Sequence, residues 1–244
     1  MILSRQKNIL TILICCYNAG ELLKRCLESL TRQNIPSSSY KVLFVNDAST
    51  DNSLEVAKAY SKNLKSFLLL DNKKNEGLVK CCNTAIEKIE TPYFIRLDAD
   101  DWLSTDAVEK ILRELDSYGS KDFIVFERWD VWENEIKEAK TDDDMYTWIA
   151  AGTVFKTEIV KSVGGYDDEY WEEYDLYIKL LEAGYKYKIS PHRIYYYRRG
   201  HRSMTESYIK IEEGFKQLVR KWGRDVLKKH GDFKKILKYY SFKA

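Results

Sequence analysis

Apolar residues run without interruption from Ile9 to Cys16 and stop at Tyr17-Asn18. A continuous apolar run of this length predicts a strand buried on both faces of a parallel sheet. Over 19–32, Leu22, Leu23, Cys26, Leu27 and Leu30 then share one helical face, which predicts an amphipathic helix. The alternation continues with a strand at Lys41–Val45, a helix at Asn52–Ser61, a strand at Phe67–Leu70 and a helix at Leu78–Ile89. Next come a strand at Tyr93–Leu97, a helix capped by Ser104 and reaching about Leu115, and a strand at Phe123–Phe126. Strands and helices in this order predict an α/β fold with a mostly parallel sheet and right-handed crossovers. Such sheets bind ligands at the carboxyl ends of their strands.

The second half is less periodic. Residues Trp129–Tyr146 mix acids and aromatics without a clear period and read as an excursion over the ligand crevice. A strand at Thr153–Phe155, a helix at Thr157–Val163 ended by Gly164-Gly165, and a helix at Glu172–Glu182 ended by Gly184 follow. Two short strands, Tyr187–Ile189 and Ile194–Tyr197, precede a tail in which Ile211, Phe215, Leu218, Val219 and Trp222 share a helical face. The expected division is a catalytic unit over 1–206 and a basic amphipathic tail over 207–244.

Composition sharpens that division. The net charge of +2 hides a tail with 11 Lys/Arg against 4 Asp/Glu, a net of +7 over Ser207 to Ala244. The remaining 29 basic and 34 acidic residues leave the body at −5. The tail predicts either peripheral contact with an anionic membrane or packing on the body or into a homodimer interface. An acidic body without a nucleic-acid-binding motif argues against nucleic acid. No stretch approaches the ~18–20 apolar residues of a membrane span, and Ile9–Cys16 lacks a cleavage site, so a cytoplasmic protein is expected. The five cysteines include the adjacent pairs Cys15-Cys16 and Cys81-Cys82, with no CxxC spacing, and read as buried thiols in a reducing compartment.

Candidate chemistry gathers at the predicted strand tips. Asp98-Ala99-Asp100-Asp101 follows the apolar strand Tyr93–Leu97. Three carboxylates there repel one another unless a hard cation such as Mg²⁺ or Mn²⁺ offsets them; the alternative is helix capping by Asp101 and solvation of the others. Asp47, at the next strand tip, suits a base N–H or ribose hydroxyl, and Tyr17 offers either a stacking face for a base or a packing contact. No GxGxxG follows the first strand and no GxxxxGK[ST] occurs, which disfavours a dinucleotide-binding domain and a P-loop.

The ordered set Cys16-Tyr17-Asn18, Asn46-Asp47-Ala48-Ser49-Thr50-Asp51, Asn75-Glu76-Gly77 with Asn83, and Asp98-Ala99-Asp100-Asp101 resembles the family 2 glycosyltransferases of GT-A fold. The resemblance extends through Gly164-Gly165-Tyr166-Asp167, Glu172-Glu173-Tyr174-Asp175-Leu176 and Tyr197-Arg198 to His201 and Ser203. It implies an inverting transferase that moves a sugar from a nucleotide diphosphate donor, most simply a UDP-sugar, to the hydroxyl of a carbohydrate or lipid-linked acceptor. By the same resemblance Tyr17, Asp47, Gly77, Lys80, Asn83 and Asp98 contact the donor, and Asp100 with His201 holds Mn²⁺ or Mg²⁺. Glu173 is the general base, with Glu172 and Asp175 as the neighbouring acids that share the position. Three places depart from the family pattern: Cys82 where an Arg is common, Glu173 where Asp is common, and His201 one residue late after Tyr197. Trp148 and Trp171 are the aromatics expected to face the acceptor, since flat rings pack on the apolar faces of pyranoses. A catalytically silent nucleotide- or membrane-binding scaffold and a sugar nucleotidylyltransferase are the alternative readings.

Overall fold

The computed structural model describes residues 8–117, 122–200 and 208–235. Its centre is β1 (Leu10–Cys16), the uninterrupted apolar run. β1 pairs in parallel with β2 (Lys41–Asn46) on one side and β4 (Tyr93–Arg96) on the other, and β2 pairs in parallel with β3 (Phe67–Asp71). Helices α1 (Gly20–Thr31), α2 (Ser53–Ser61) and α3 (Leu78–Lys88) make the crossovers. This half is the parallel sheet that the hydrophobic pattern predicts.

Beyond β4 the sheet becomes mixed. β8 (Thr153–Lys156) lies antiparallel to both β4 and β6 (Phe123–Val131), and β6 runs parallel to β9 (Tyr187–Arg198). The two-residue β5 (Trp102–Leu103) closes the order β3-β2-β1-β4-β8-β6-β9-β5, and β7 (Ile136–Ala139) forms a hairpin on β6. β6 continues five residues past the expected end at Phe126. Its polar positions Arg128 and Asp130 break the apolar pattern, yet the two side chains pair with each other at 2.9 Å and are buried. β9 is one strand rather than two. The register against β6 shifts around Glu127, absorbing Pro191, which has no amide for the ladder.

Side chains of β1 alternate between two cores. Leu10, Ile12 and Ile14 face α1, α2 and α4 (Ala107–Ser117). Leu13 faces α3, α5 (Thr157–Ser162) and α6 (Glu172–Glu182). The basic tail forms α7 (Tyr208–Lys229), two helical stretches joined at Gly223, whose φ of 76° breaks the helix. Ile211, Leu218, Leu227 and Phe233 of this tail are buried in the same core as Tyr146, Trp171 and Tyr174. The packing alternative for the tail is therefore the one the apolar face takes. Among the described residues no helix is long and apolar enough to cross a membrane.

Candidate functional site

A cavity of about 630 Å³ opens at the carboxyl ends of β1, β2 and β4, where a parallel sheet is expected to bind its ligand. The tips of β1 and β2 are locked together by their turn residues. The Asn18 amide donates to Ser49 Oγ at 3.0 Å and the Thr50 amide to Asn18 Oδ1 at 2.8 Å, with Asn18 and Ala48 in the left-handed region (φ 51° and 57°). This turn leaves the Tyr17 side chain on the cavity wall and 52% exposed, an apolar face held open to solvent.

Asp47 lies beneath it, buried. Its Oδ1 accepts from Asn72 Nδ2 and the Glu76 amide, and its Oδ2 from the Gly77 amide, each at 2.9 Å. Burial pushes this carboxyl up, but the hydrogen bonds from Asn72, Glu76 and Gly77 outweigh it and hold the group below the usual range. Asp47 thus shapes the 75–77 loop as well as lining the cavity. Gly77 (φ 83°) begins α3 at the cavity wall. Two expected donor contacts do not reach the cavity lining. The Lys80 ammonium is exposed and pairs with Glu76. Both ends of the Asn83 amide are spent on the Tyr166 backbone, at 2.7 and 2.9 Å. Asn83 is a clip between α3 and the Gly164-Gly165 turn, a role that spacing alone cannot separate from ligand binding. Cys15, Cys16 and Cys81 line the floor as free thiols.

The acidic tetrapeptide divides its labour. Asp101 is buried and faces inward, accepting from the Tyr195 hydroxyl (2.8 Å) and the Arg198 amide (2.7 Å), which ties the turn to β9. Burial, then repulsion from Asp100 and Asp98, pushes its carboxyl well up. Asp98 and Asp100 line the cavity. Asp98 is gripped by Arg96 through Nε at 2.8 Å and Nη2 at 3.3 Å. The same guanidinium reaches Glu172 Oε1 with Nη1 at 3.0 Å, so one buried cation joins the tip of β4 to the start of α6. Sequence reasoning misses Arg96. The available signal is a cation inside an otherwise apolar strand, since a buried Arg requires carboxylate partners. Among the described residues no group of three or more His, Cys, Asp or Glu is placed to hold a metal by protein ligands alone. Asp100 offers the hard oxygen donor that Mg²⁺ or Mn²⁺ takes; His201 lies outside the described residues.

Across the cavity stand the first residues of α6. Glu172 is buried, and burial pushes its carboxyl up despite the Arg96 bond. Glu173 is half-buried on the cavity wall, its carboxyl pushed up to about 8 by burial and then by the Glu172 charge. Burial here outweighs the helix N-terminal field, which favours carboxylates by only ~0.3–1 kcal/mol. Asp175 departs from its expected place. It points away from the cavity and its Oδ1 accepts from Trp222 Nε1 at 2.7 Å and Lys221 Nζ at 2.8 Å, both on α7. Trp171 borders the cavity while its side chain is buried in the core against α7. Trp148 does not border it. It is buried against Phe123, Tyr177 and Tyr187 and bonds the Asp142 carbonyl, because the short 3₁₀ turn Met145–Thr147 tucks inward rather than over the crevice.

A sheet whose parallel half opens a cavity at its strand tips, with Asp98 and Asp100 on one wall and the first carboxyls of α6 on the other, defines an α/β domain that binds its ligand at the carboxyl ends of its strands. The model of glycosyl transferase family 2 matches residues 11–164, and the chain belongs to that family. Among curated relatives, the teichoic acid poly(glycerol phosphate) polymerase of Staphylococcus epidermidis is 40% identical over 114 residues, 45% of this chain and 15% of the polymerase. The poly(ribitol-phosphate) beta-glucosyltransferase of Bacillus spizizenii is 31% identical over 100 residues, 41% of this chain and 16% of that protein. The matched region is thus a small part of either relative's length. Among solved structures, residues 1–349 of S. aureus TarS with UDP-GlcNAc superimpose with a TM-score of 0.71 at 16% identity, covering 89% of this chain and 70% of that one. The mannosyltransferase PcManGT of Pyrobaculum calidifontis, in complex with GDP-Man and Mn²⁺, gives 0.68 at 16% identity over 88% of this chain and 65% of that one. These two likenesses establish the GT-A type of α/β fold.

Proposed function

We propose that this chain is an inverting glycosyltransferase that moves a sugar from a nucleotide diphosphate donor, most simply a UDP-sugar, to an acceptor hydroxyl. The observation that carries this reading is the pairing across one cavity of Tyr17, Asp98 and Asp100 with Glu172 and Glu173. Tyr17 stacks on the base, and Asp98, oriented by Arg96, accepts from a ribose or sugar hydroxyl. Asp100 is the residue that would hold Mn²⁺ or Mg²⁺, with His201 as the further ligand. A cation there supplies Lewis-acid stabilisation of the leaving diphosphate. Glu173 takes the proton from the acceptor hydroxyl as that oxygen bonds to the anomeric carbon and the carbon–oxygen bond to the diphosphate breaks. With one base on the acceptor side, this single displacement inverts the anomeric centre. Trp171 borders the cavity on the acceptor side.

One named relative is a poly(glycerol phosphate) polymerase and the other a poly(ribitol-phosphate) beta-glucosyltransferase, which supports a carbohydrate or polyol-phosphate acceptor for this chain. Peripheral contact with an anionic membrane belongs to the same reading. It is supported by the outer face of α7, where Lys216, Arg220 and Arg224 rim a groove of about 250 Å³ floored by Phe215 and Val219.

The test is a thermal-shift screen of UDP- and GDP-sugars with and without Mn²⁺, followed by transfer assays. Donor binding to the native state raises the melting midpoint. Glu173→Gln is expected to lower turnover by about 10²–10⁴-fold with donor affinity little changed. Near-parental transfer by Glu173→Gln overturns the assignment of the base, and a midpoint shift with no transfer and no metal-dependent hydrolysis of the donor favours a silent scaffold.

A further inference from the structure

We infer that α7 is a positioning clamp for the catalytic segment 167–175, rather than an accessory tail. This rests on the reading of Glu173 as the base. The family match ends at residue 164, so both the segment and the clamp lie beyond it.

Three points of that segment, Asp167, Tyr170 and Asp175, are held from α7. Lys221 pairs with Asp167 at 2.5 Å. Gln217 Oε1 accepts from the Tyr170 amide at 3.0 Å. Trp222 Nε1 and Lys221 Nζ hold the fully buried Asp175 at 2.7 and 2.8 Å. One turn before Gln217 on α7 sits Gly214, a glycine in a helix interior, where it weakens the helix relative to alanine. Its position explains it. A Cβ there would stand 2.4 Å from Tyr170 Cδ1 and 2.7 Å from Trp171 Cδ1, so only glycine lets α7 approach two residues of the cavity wall this closely.

Glu172 and Glu173 lie between the residues that α7 grips on either side. Glu172 is fixed from the opposite direction by Arg96. Two rigid partners, one on the sheet and one on α7, therefore set where the Glu173 carboxyl stands relative to the reacting centre. Misplacing a catalytic group by about 1 Å can cost on the order of 100-fold in rate. Asp175 thereby acquires a role that family register does not distinguish from catalysis. It is the anchor, two residues from the base, through which α7 sets the phase of α6.

The experiment uses three variants of the full chain: Trp222→Phe, which removes one N–H and keeps most of the ring; Gln217→Leu, which removes the acceptor; and Gln217→Glu, which retains an acceptor oxygen. Transfer kinetics and amide exchange over 170–176 are measured together. Trp222→Phe and Gln217→Leu are expected to lower kcat by about 10- to 100-fold with donor KM within about twofold. Exchange at 170–176 should rise, and Gln217→Glu should restore most of both. Unchanged exchange, or faster exchange with unchanged kcat, overturns the clamp. If Trp222→Phe does not fold, the two Gln217 variants decide the question, because that side chain is only half-buried. Failure of the base assignment is read separately. In that case Glu173→Gln keeps its transfer activity, while the exchange response of the clamp variants is unaffected.

Discussion

Glu173 and Glu172 are adjacent carboxyls with different constraints, and the difference has a measurable sign. Glu172 is bonded to Arg96, whereas Glu173 is raised to about 8 by burial and by the Glu172 charge. A base works only when ionised, so turnover should climb with pH along a limb whose midpoint lies near 8 and well above the ordinary value of 4.5. A pH–kcat profile rising instead with a midpoint near 4.5 would contradict the environment described for Glu173. Glu172→Gln removes a like charge beside the base, and the limb should then move to lower pH. For Asp100, the expected outcome of Asp100→Ala is loss of the cation dependence of UDP binding with an unchanged melting temperature. Calorimetry with and without Mn²⁺ on the parent and the variant measures it.

Between elements, the turn Gly164-Gly165 shows how one residue pair aligns α3, α5 and α6. Gly165 has φ 72°, and a Cβ there would lie 2.3 Å from Asn83 Oδ1, the atom that accepts from the Tyr166 amide. Gly165→Ala therefore combines left-handed strain of about 1–2 kcal/mol with damage to the Asn83 bonds at about 0.5–1.5 kcal/mol each. A loss of roughly 2–5 kcal/mol in urea unfolding is expected. Gly164 has φ 81° with nothing within 4 Å of the place an alanine methyl would take, so Gly164→Ala should show the strain alone, about 1–2 kcal/mol. Equal losses for the two variants would mean that Asn83 yields at little cost. The same contrast explains why Asn83 is better read as a clip than as a donor contact.

For the whole molecule, the tail is part of the core. Ile211, Leu218, Leu227 and Phe233 are each buried, and the Tyr146 hydroxyl bonds the Leu227 carbonyl at 3.0 Å. At about 1.5–3 kcal/mol for each large apolar side chain, removing residues after Ser207 forfeits roughly 6–12 kcal/mol, comparable with the ~5–15 kcal/mol stability of a whole domain. Truncation should therefore give an insoluble or dye-binding chain without a cooperative melt, as followed by circular dichroism and ANS fluorescence. A soluble truncated body with a sharp transition would place the tail outside the folding unit. Membrane contact is better tested with Lys216, Arg220 and Arg224 replaced by Ser in the full chain, which should reduce sedimentation with anionic vesicles and leave the melt in place.

The strands β1, β2, β3 and β4 and the helices between them were legible in the sequence because burial on both faces writes itself as local apolar runs and 3.6-residue stripes. The polar residues at the strand tips likewise pointed to Tyr17, Asp47, Asp98 and Asp100, while Gly77, Glu172 and Glu173 came from the family resemblance and Trp171 from aromatic density; all of them line one cavity. What the sequence left open depends on directions set by packing between distant segments. Glu173 and Asp175 differ by two residues, about 200° around a helix, so the phase of α6 against the sheet and α7 decides which faces the cavity. Trp148 and Trp171 are equally aromatic and both buried, but the turn Met145–Thr147 carries one away from the cavity while the start of α6 leaves the other bordering it. Arg96 grips its neighbour Asp98 and also Glu172, which lies 76 residues after Arg96. No local pattern encodes that bond, because a buried charge finds its partner only when folding brings the tip of β4 and the start of α6 together.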